Sequence, residues 1–162
     1  VRCLDAARHA PSHGRTNPFR YVVISGQEAK ERLWARAQAV LPEAIPDQPQ
    51  SLVQAYRKLF LKAPVWIALG MVPRREKPKP EWEELAAVSM AAQNLHLMAA
   101  AQGLGGLWAS GPLFTHPRLA EYFGWHQPPD RLLGLFYLGY ARRALAPRKY
   151  ASLETIVRWE EA

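Results

Sequence analysis

The chain has 162 residues, 49% hydrophobic and 22% charged, which is one domain's length with enough apolar material for a proper core. No uninterrupted apolar run approaches the length of a membrane span, no secretory signal pattern opens the chain, and a single cysteine, Cys3, excludes an internal disulfide framework or a Cys-rich zinc site and fits a reducing cytoplasm. The formal charge of +7 invites a nucleic-acid reading, but the basic residues lie dispersed in groups such as Arg74-Arg75-Glu76-Lys77 and Arg142-Arg143 without an RNA or DNA motif, so a solvated surface plus a phosphate-bearing ligand is expected instead.

Residues 1–9 read as the tail of a helix whose start lies upstream, because no N-cap precedes Leu4, Ala6 and Ala7. Ala10 to Gly14 is a loop by its Pro and Gly, and FRYVVIS, Phe19 to Ser25, is aromatic and β-branched, hence a strand. Gln27 to Leu41 follows as an amphipathic helix with Ala29, Leu33, Ala37 and Val40 on one face. Pro42 to Pro49 is expected to be a loop, and Ser51 to Leu61 a shorter helix. Ala63 to Val72 is apolar on both faces, as a buried central strand requires. Pro73 to Pro80, PRREKPKP, is a stiff, charged, exposed loop and the one visible candidate for a lid.

The longest helix spans Glu81 to Gln102 and stops at Gly103. Its many alanines predict close approach of another backbone, in the middle of the domain or at a subunit interface. Leu107 to Ser110 is a short strand after a Gly105-Gly106 turn, Pro117 to Phe123 a short helix capped by Thr115 or His116, and Leu132 to Tyr140 a second buried strand. Ser152 to Trp159 reads as a terminal strand or arm. The alternation of helices and strands without repeats gives a single α+β or α/β layered domain.

Motif chemistry alone says little. No serine stands in a G-x-S-x-G frame, and no Walker A or G-x-G-x-x-G fingerprint occurs. His9 and His13 have the spacing of a zincin pair, but Pro11 lies between them and no Glu follows His9, so no metal site is expected.

Three ordered blocks carry a resemblance. Ala6 to His13 followed by Asn17-Pro18-Phe19 to Ile24, then Ala91 to Leu95 with Ala101 to Gly111, then Leu133 to Tyr140 resemble the nitroreductase family, its minimal-length YdjA-like subgroup in particular. The resemblance implies a three-layer α+β fold, with a mostly antiparallel central sheet flanked by helices, and a homodimer with FMN at the interface and an exchanged C-terminal arm. It implies an oxidoreductase in which NADH or NADPH reduces FMN and the flavin then reduces nitroaromatics, quinones or similar small electrophiles by ping-pong hydride transfer, with no side chain as obligatory acid or base. No nucleic acid or membrane partner is implied.

By position the resemblance assigns His9 and His13 to the ribityl and phosphate side of FMN, with Pro11, Ser12 and Asn17 in the same block. Trp108, Ala109 and Ser110 fall on the segment that lines the flavin. Met98, Ala99, Ala100, Ala101, Gln102 and Gly103 match the stretch assigned to the nicotinamide cofactor. The family's R-R-S phosphate motif is expected upstream of Val1, and one of Arg142, Arg143, Arg148 or Lys149 is a further phosphate candidate. Plainer roles stay open: a helix-capping His9, a core Trp108, an alanine-rich helix that serves packing, structural or surface roles for His96, His116 and His126, and a solvated basic tail. A dehalogenating or flavin-fragmenting specialist, or a non-catalytic flavin-binding dimer, are the alternative functions.

Overall fold

The structure is a computed structural model that describes residues 1–141 and 149–160. Helix α1 (Arg2–Ala7) leads through a 3-10 turn at His13–Arg15 into strand β1 (Phe19–Ser25). Helices α2 (Gln27–Ala44) and α3 (Gln50–Lys62) precede β2 (Val65–Met71), and α4 (Glu81–Ala101) precedes β3 (Gly105–Ala109). Helix α5 (Pro117–Tyr122), β4 (Arg131–Gly139) and the one-turn α6 (Leu153–Ile156) complete the order.

The four strands form one sheet in the order β1-β2-β4-β3, antiparallel at every pairing. Alternation along β2 splits the core in two. Trp66 and Ala68 face α2, α3 and α5, where Leu33, Trp34, Phe60 and Leu119 are buried. Ile67, Leu69 and Met71 face α1 and α4, where Ala7, Val88, Leu95 and Ala99 are buried. The result is the expected α+β three-layer arrangement, and each fully buried Leu or Val contributes roughly 1.5–3 kcal/mol over its exposed state. On the α2 side the Phe60 ring lies against those of both Trp34 and Trp66, and the Trp66 indole N–H donates to the Phe60 carbonyl at 3.0 Å.

Helix α4 shows why its sequence is apolar around the whole circumference. Its inner face, Ala87, Val88, Ala91, Leu95 and Ala99, is buried, whereas Trp82, Leu85, Met90 and Leu97 are exposed. It ends as expected at Gly103: the Gly103 N–H donates to the Ala100 carbonyl and the Leu104 N–H to that of Ala99, both at 2.9 Å, the paired bonds of a Schellman stop.

Three boundaries differ from the sequence expectation. Helix α2 runs through Pro42 to Ala44; a proline in the last turn forfeits few helical bonds, and Val40 and Leu41 just before it are buried in the core. Gly105 and Gly106 belong to β3 rather than to a turn, paired with Gly139 and Leu138. Gly106 tolerates no side chain, since a Cβ there would meet Phe136 and Leu138 within 3 Å. The stretch Ser152–Trp159 is no strand. With no neighbouring strand to supply a ladder among the described residues, Thr155 N–H bonds the Ser152 carbonyl and Val157 N–H that of Leu153, closing one helical turn with Leu153, Ile156 and Trp159 exposed.

Candidate functional site

A large cleft of about 680 Å³ opens where β3 and β4 meet the start of α4 and the segment after α5. Two indoles form its apolar walls, and each lies in a notch that only glycine leaves open. A Cβ on Gly70 would sit 2.7 Å from three ring atoms of Trp125, so the bare backbone of β2 is the bed for that ring. On Gly134, whose φ is +135°, a Cβ would meet Trp108 Nε1 at 2.5 Å and the Ala109 carbonyl oxygen at 2.4 Å. Beside it the pairing of β2 with β4 passes from Leu69–Gly134 to Gly70–Leu132 and skips Leu133. The Leu133 carbonyl, released from the ladder, accepts the Trp108 indole N–H at 2.9 Å, and Leu133 itself lines the cleft. Irregular pairings of this kind re-aim side chains next to sites. Ser110, Thr115, Glu121, His126, Asp130 and Arg131 supply polar groups around the walls, and Leu85 of α4 closes one side.

A smaller cleft of about 210 Å³ lies against the same end of α4 and is lined by Pro11, Ser12, His13, Trp82, Glu83, Ala86 and Met90. The loop that forms it is held by its own polar groups. Ser12 Oγ accepts the Asn17 N–H at 3.0 Å and donates to Asn17 Oδ1 at 3.0 Å. His13 Nδ1 contacts the Glu83 carboxylate. Below them, the buried Thr16 hydroxyl donates to Glu84 Oε2 at 2.9 Å, while Glu84 Oε1 has no partner among the described residues. Burial of Tyr21, whose hydroxyl also has no partner among the described residues, pushes its phenol up to about 12. A third cavity of about 310 Å³, between the segment 73–79 and α4, has Glu84, Glu81 and Pro129 in its wall. Among the described residues no group of three His, Cys, Asp or Glu side chains is placed to hold a metal ion.

The sequence profile of the Nitroreductase family matches residues 1–140. The chain belongs to the nitroreductase family. YdjA of Escherichia coli (strain K12), which carries the provisional name of an NAD(P)H nitroreductase, is 31% identical over 136 residues, 84% of this chain and 72% of that protein. The crystal structure of a nitroreductase-like family protein from Bacillus cereus superposes with a TM-score of 0.81 at 26% identity, covering 99% of this chain and 82% of that one. The FMN-dependent nitroreductase NfnB from Mycobacterium smegmatis, solved in complex with NADPH, shares the fold with a TM-score of 0.72 at 20% identity over 98% of this chain and 86% of that one. These likenesses bear out the expected family and its YdjA-like character.

Within this nitroreductase-family chain the residues expected at the site fall into three places. Trp108 and Ser110 line the large cleft, while Ala109 between them packs toward the core beneath α2. Pro11, Ser12 and His13 line the small cleft, with Asn17 bonded to Ser12, and His9 is exposed at the end of α1. Met98 to Gly103 lie at the far end of α4, about 20 Å along the helix from Leu85 at 1.5 Å per residue, and line neither cleft. There Ala99 is buried and the Gln102 side-chain amide reaches Cys3 Sγ at 3.2 Å, whereas Ala100, Ala101 and Gly103 are exposed. Lys149 is exposed, and Arg142, Arg143 and Arg148 lie outside the described residues.

Sequence reasoning missed Trp125, Leu133, Leu85 and Asp130 on the cleft, and Glu84 and Arg75 behind it. For Trp125 there was a signal, a tryptophan just after Gly124 with a proline pair three residues on. For Leu133 there was none, since a skipped register position leaves an apolar strand looking regular.

Proposed function

We propose that this chain is an FMN-dependent oxidoreductase, drawing reducing equivalents from NADH or NADPH and acting on small, flat electrophiles such as nitroaromatics and quinones in a ping-pong cycle. The observation that carries it is the two-indole cleft on a nitroreductase-family sheet. Its volume lies within the ~300–1,000 Å³ typical of cofactor pockets, and it pairs apolar walls with a few polar groups, as a ring system with one polar edge requires. Trp108, Leu133 and Trp125 fit the faces of such a ring, Ser110 offers a hydroxyl beside them, and Arg131 is the cation at the rim. When bound, FMN supplies the two-electron redox chemistry; the chain's own groups bind and orient.

Pro11 to His13 and Trp108 with Ser110 open on different clefts of one chain, an arrangement that suits a flavin shared between two protomers. A homodimer is therefore part of the proposal. It is supported by the exposed apolar face of α4, Trp82, Met90 and Leu97, which runs beside the small cleft and would be covered by a second copy. The exposed ends of Ala100, Ala101 and Gly103 are open to a dinucleotide, and the exposed Leu153, Ile156 and Trp159 suit a C-terminal arm that packs on the partner. A reducing cytoplasmic location rests on the lone, unpaired Cys3.

Titration of the purified protein with FMN, followed by quenching of flavin and tryptophan fluorescence, tests the central point, and Trp108→Ala is expected to weaken binding at least tenfold. A colourless protein that leaves added FMN unquenched overturns the proposal. Saturable FMN binding without any NADH or NADPH oxidation in the presence of a quinone would instead identify a non-catalytic flavin module. The specialist readings needing a closing lid gain no support, because the one lid candidate, Pro73 to Pro80, is tied down at Arg75 and Lys77.

A further inference from the structure

The stiff segment 73–80 carries two bridging cations. Arg75 spans more than fifty residues of sequence: its Nη1 donates to the Pro128 carbonyl at 2.5 Å, and its Nη2 to the Gln127 carbonyl at 3.1 Å and to Asp130 Oδ1 at 3.3 Å. Asp130 is the less exposed partner, its side chain 9% accessible against 55% for Arg75. The turn so gripped, closed by the Asp130 N–H on the Gln127 carbonyl, supplies Pro128, Pro129 and Asp130 to the wall of the large cleft. Two residues on, Lys77 Nζ donates to the Gly14 carbonyl at 2.6 Å, in the loop that bounds the small cleft. One short, proline-bounded segment thus ties the edges of both clefts, and Pro129 is shared between the large cleft and the cavity behind the strap.

We propose that Arg75 is a positioning residue for the electron acceptor: by holding the turn 127–130 it sets the width of the cleft beside Trp125 and so selects among acceptors by size. The inference rests on the reading of the large cleft as the flavin and acceptor site. The chemistry of the grip is specific to arginine. A planar fork satisfies two carbonyls and a carboxylate at once, whereas a lysine at the same position keeps the charge and loses the geometry. With the grip gone, the one hydrogen bond left within the turn among the described residues is its own Asp130–Gln127 bond, and the wall it builds is free to shift toward or away from the indoles. Among the described residues every hydrogen bond of the Arg75 guanidinium goes to this turn, so its effect reaches the acceptor through the turn.

The test compares wild type, Arg75→Met and Arg75→Lys as FMN-loaded protein, with benzoquinone as a one-ring acceptor and menadione as a two-ring acceptor at saturating NADPH or NADH. The expected result is a roughly tenfold change in the ratio of the two acceptors' KM values for Arg75→Met, the size of one lost charge-assisted bond at the low end of its range, with kcat within about twofold and partial restoration by Arg75→Lys. Amide exchange at Gln127, Asp130 and Arg131 rises from wild type to Arg75→Lys to Arg75→Met. Equal KM changes for both acceptors, or lower thermal stability with an unchanged KM ratio, overturn the inference. Should the wild type bind no FMN, the functional reading fails separately. The inference is then judged by menadione quenching of the tryptophans in the unloaded protein: weaker or stronger quenching in Arg75→Met than in wild type, with benzoquinone quenching unchanged, sustains it, and identical quenching overturns it.

Discussion

Gly134→Ala places a methyl group where the structure has no room. The new Cβ would lie 2.4 Å from the Ala109 carbonyl oxygen and 2.5 Å from Trp108 Nε1, at a backbone φ of +135° that L side chains rarely adopt. Backbone strain of this kind costs about 1–3 kcal/mol, and forcing β3 and the indole away costs about 1–3 kcal/mol more, with the Trp108–Leu133 bond put at risk. A total near ~4 kcal/mol lowers the thermal midpoint of a domain of this size by roughly 8–16 °C. Urea and thermal unfolding, followed by far-UV circular dichroism and tryptophan emission, measure it. Gly111→Ala is the control, since nothing lies within 4 Å of its added Cβ, and it is expected to fall within about 0.5 kcal/mol of wild type. If Gly134→Ala unfolds within about 1 kcal/mol of wild type, the notch does not determine how Trp108 sits, and the account of the cleft wall is wrong.

Thr16→Val deprives the buried Glu84 carboxyl of its one hydrogen-bond partner among the described residues and is expected to cost about 1–3 kcal/mol by urea denaturation; adding Glu84→Leu to Thr16→Val recovers most of it, and additive losses in the double variant would refute the pairing. Because burial raises the Tyr21 phenol from 10.0 to about 12, the folded chain holds that proton after the unfolded chain has released it. Stability therefore falls as pH rises between those values, and Tyr21→Phe removes this component of the slope; identical urea midpoints against pH for both proteins across that window would contradict it. Met90→Lys, on the exposed apolar face of α4, is expected to shift the proposed dimer toward monomer in sedimentation velocity while leaving the circular dichroism spectrum unchanged; an unaltered dimer would move the interface elsewhere, and a monomeric wild type would refute the dimer.

Much of the fold was legible because local rules agree with tertiary burial. FRYVVIS stands between Pro18 and Gly26 and forms a strand with those bounds, and the apolar run in 63–72 becomes the central β2. The alanine-rich helix was expected either to pack centrally or to meet a subunit; one face does the first, and the other is exposed and apolar. Pro42 misled because its penalty is small in a final turn, and the Gly105-Gly106 pair because a turn and a crowded strand ask for the same residue. At the candidate site, residue type and resemblance picked out Trp108 and Ser110 on the large cleft and Pro11 to His13 on the small one. They could not reveal that these segments open on different clefts, since order along a chain carries no distance across α4. Arg75 was equally hidden: in sequence it is one cation in a charged loop, and only the fold brings Gln127 and Pro128 to it.

The two glycine notches make the indoles and the backbone beneath them a coupled pair of choices. Trp125 cannot be retained if residue 70 acquires a side chain, and a smaller residue at 125 leaves a hollow over Gly70 that an alanine there would fill. Remodelling this cleft for larger acceptors is thus a matter of exchanging both members at once, Trp125→Leu with Gly70→Ala, rather than of trimming one residue at a time. Across descendants of this sequence, positions 70 and 125, and likewise 134 and 108, are expected to change together or not at all.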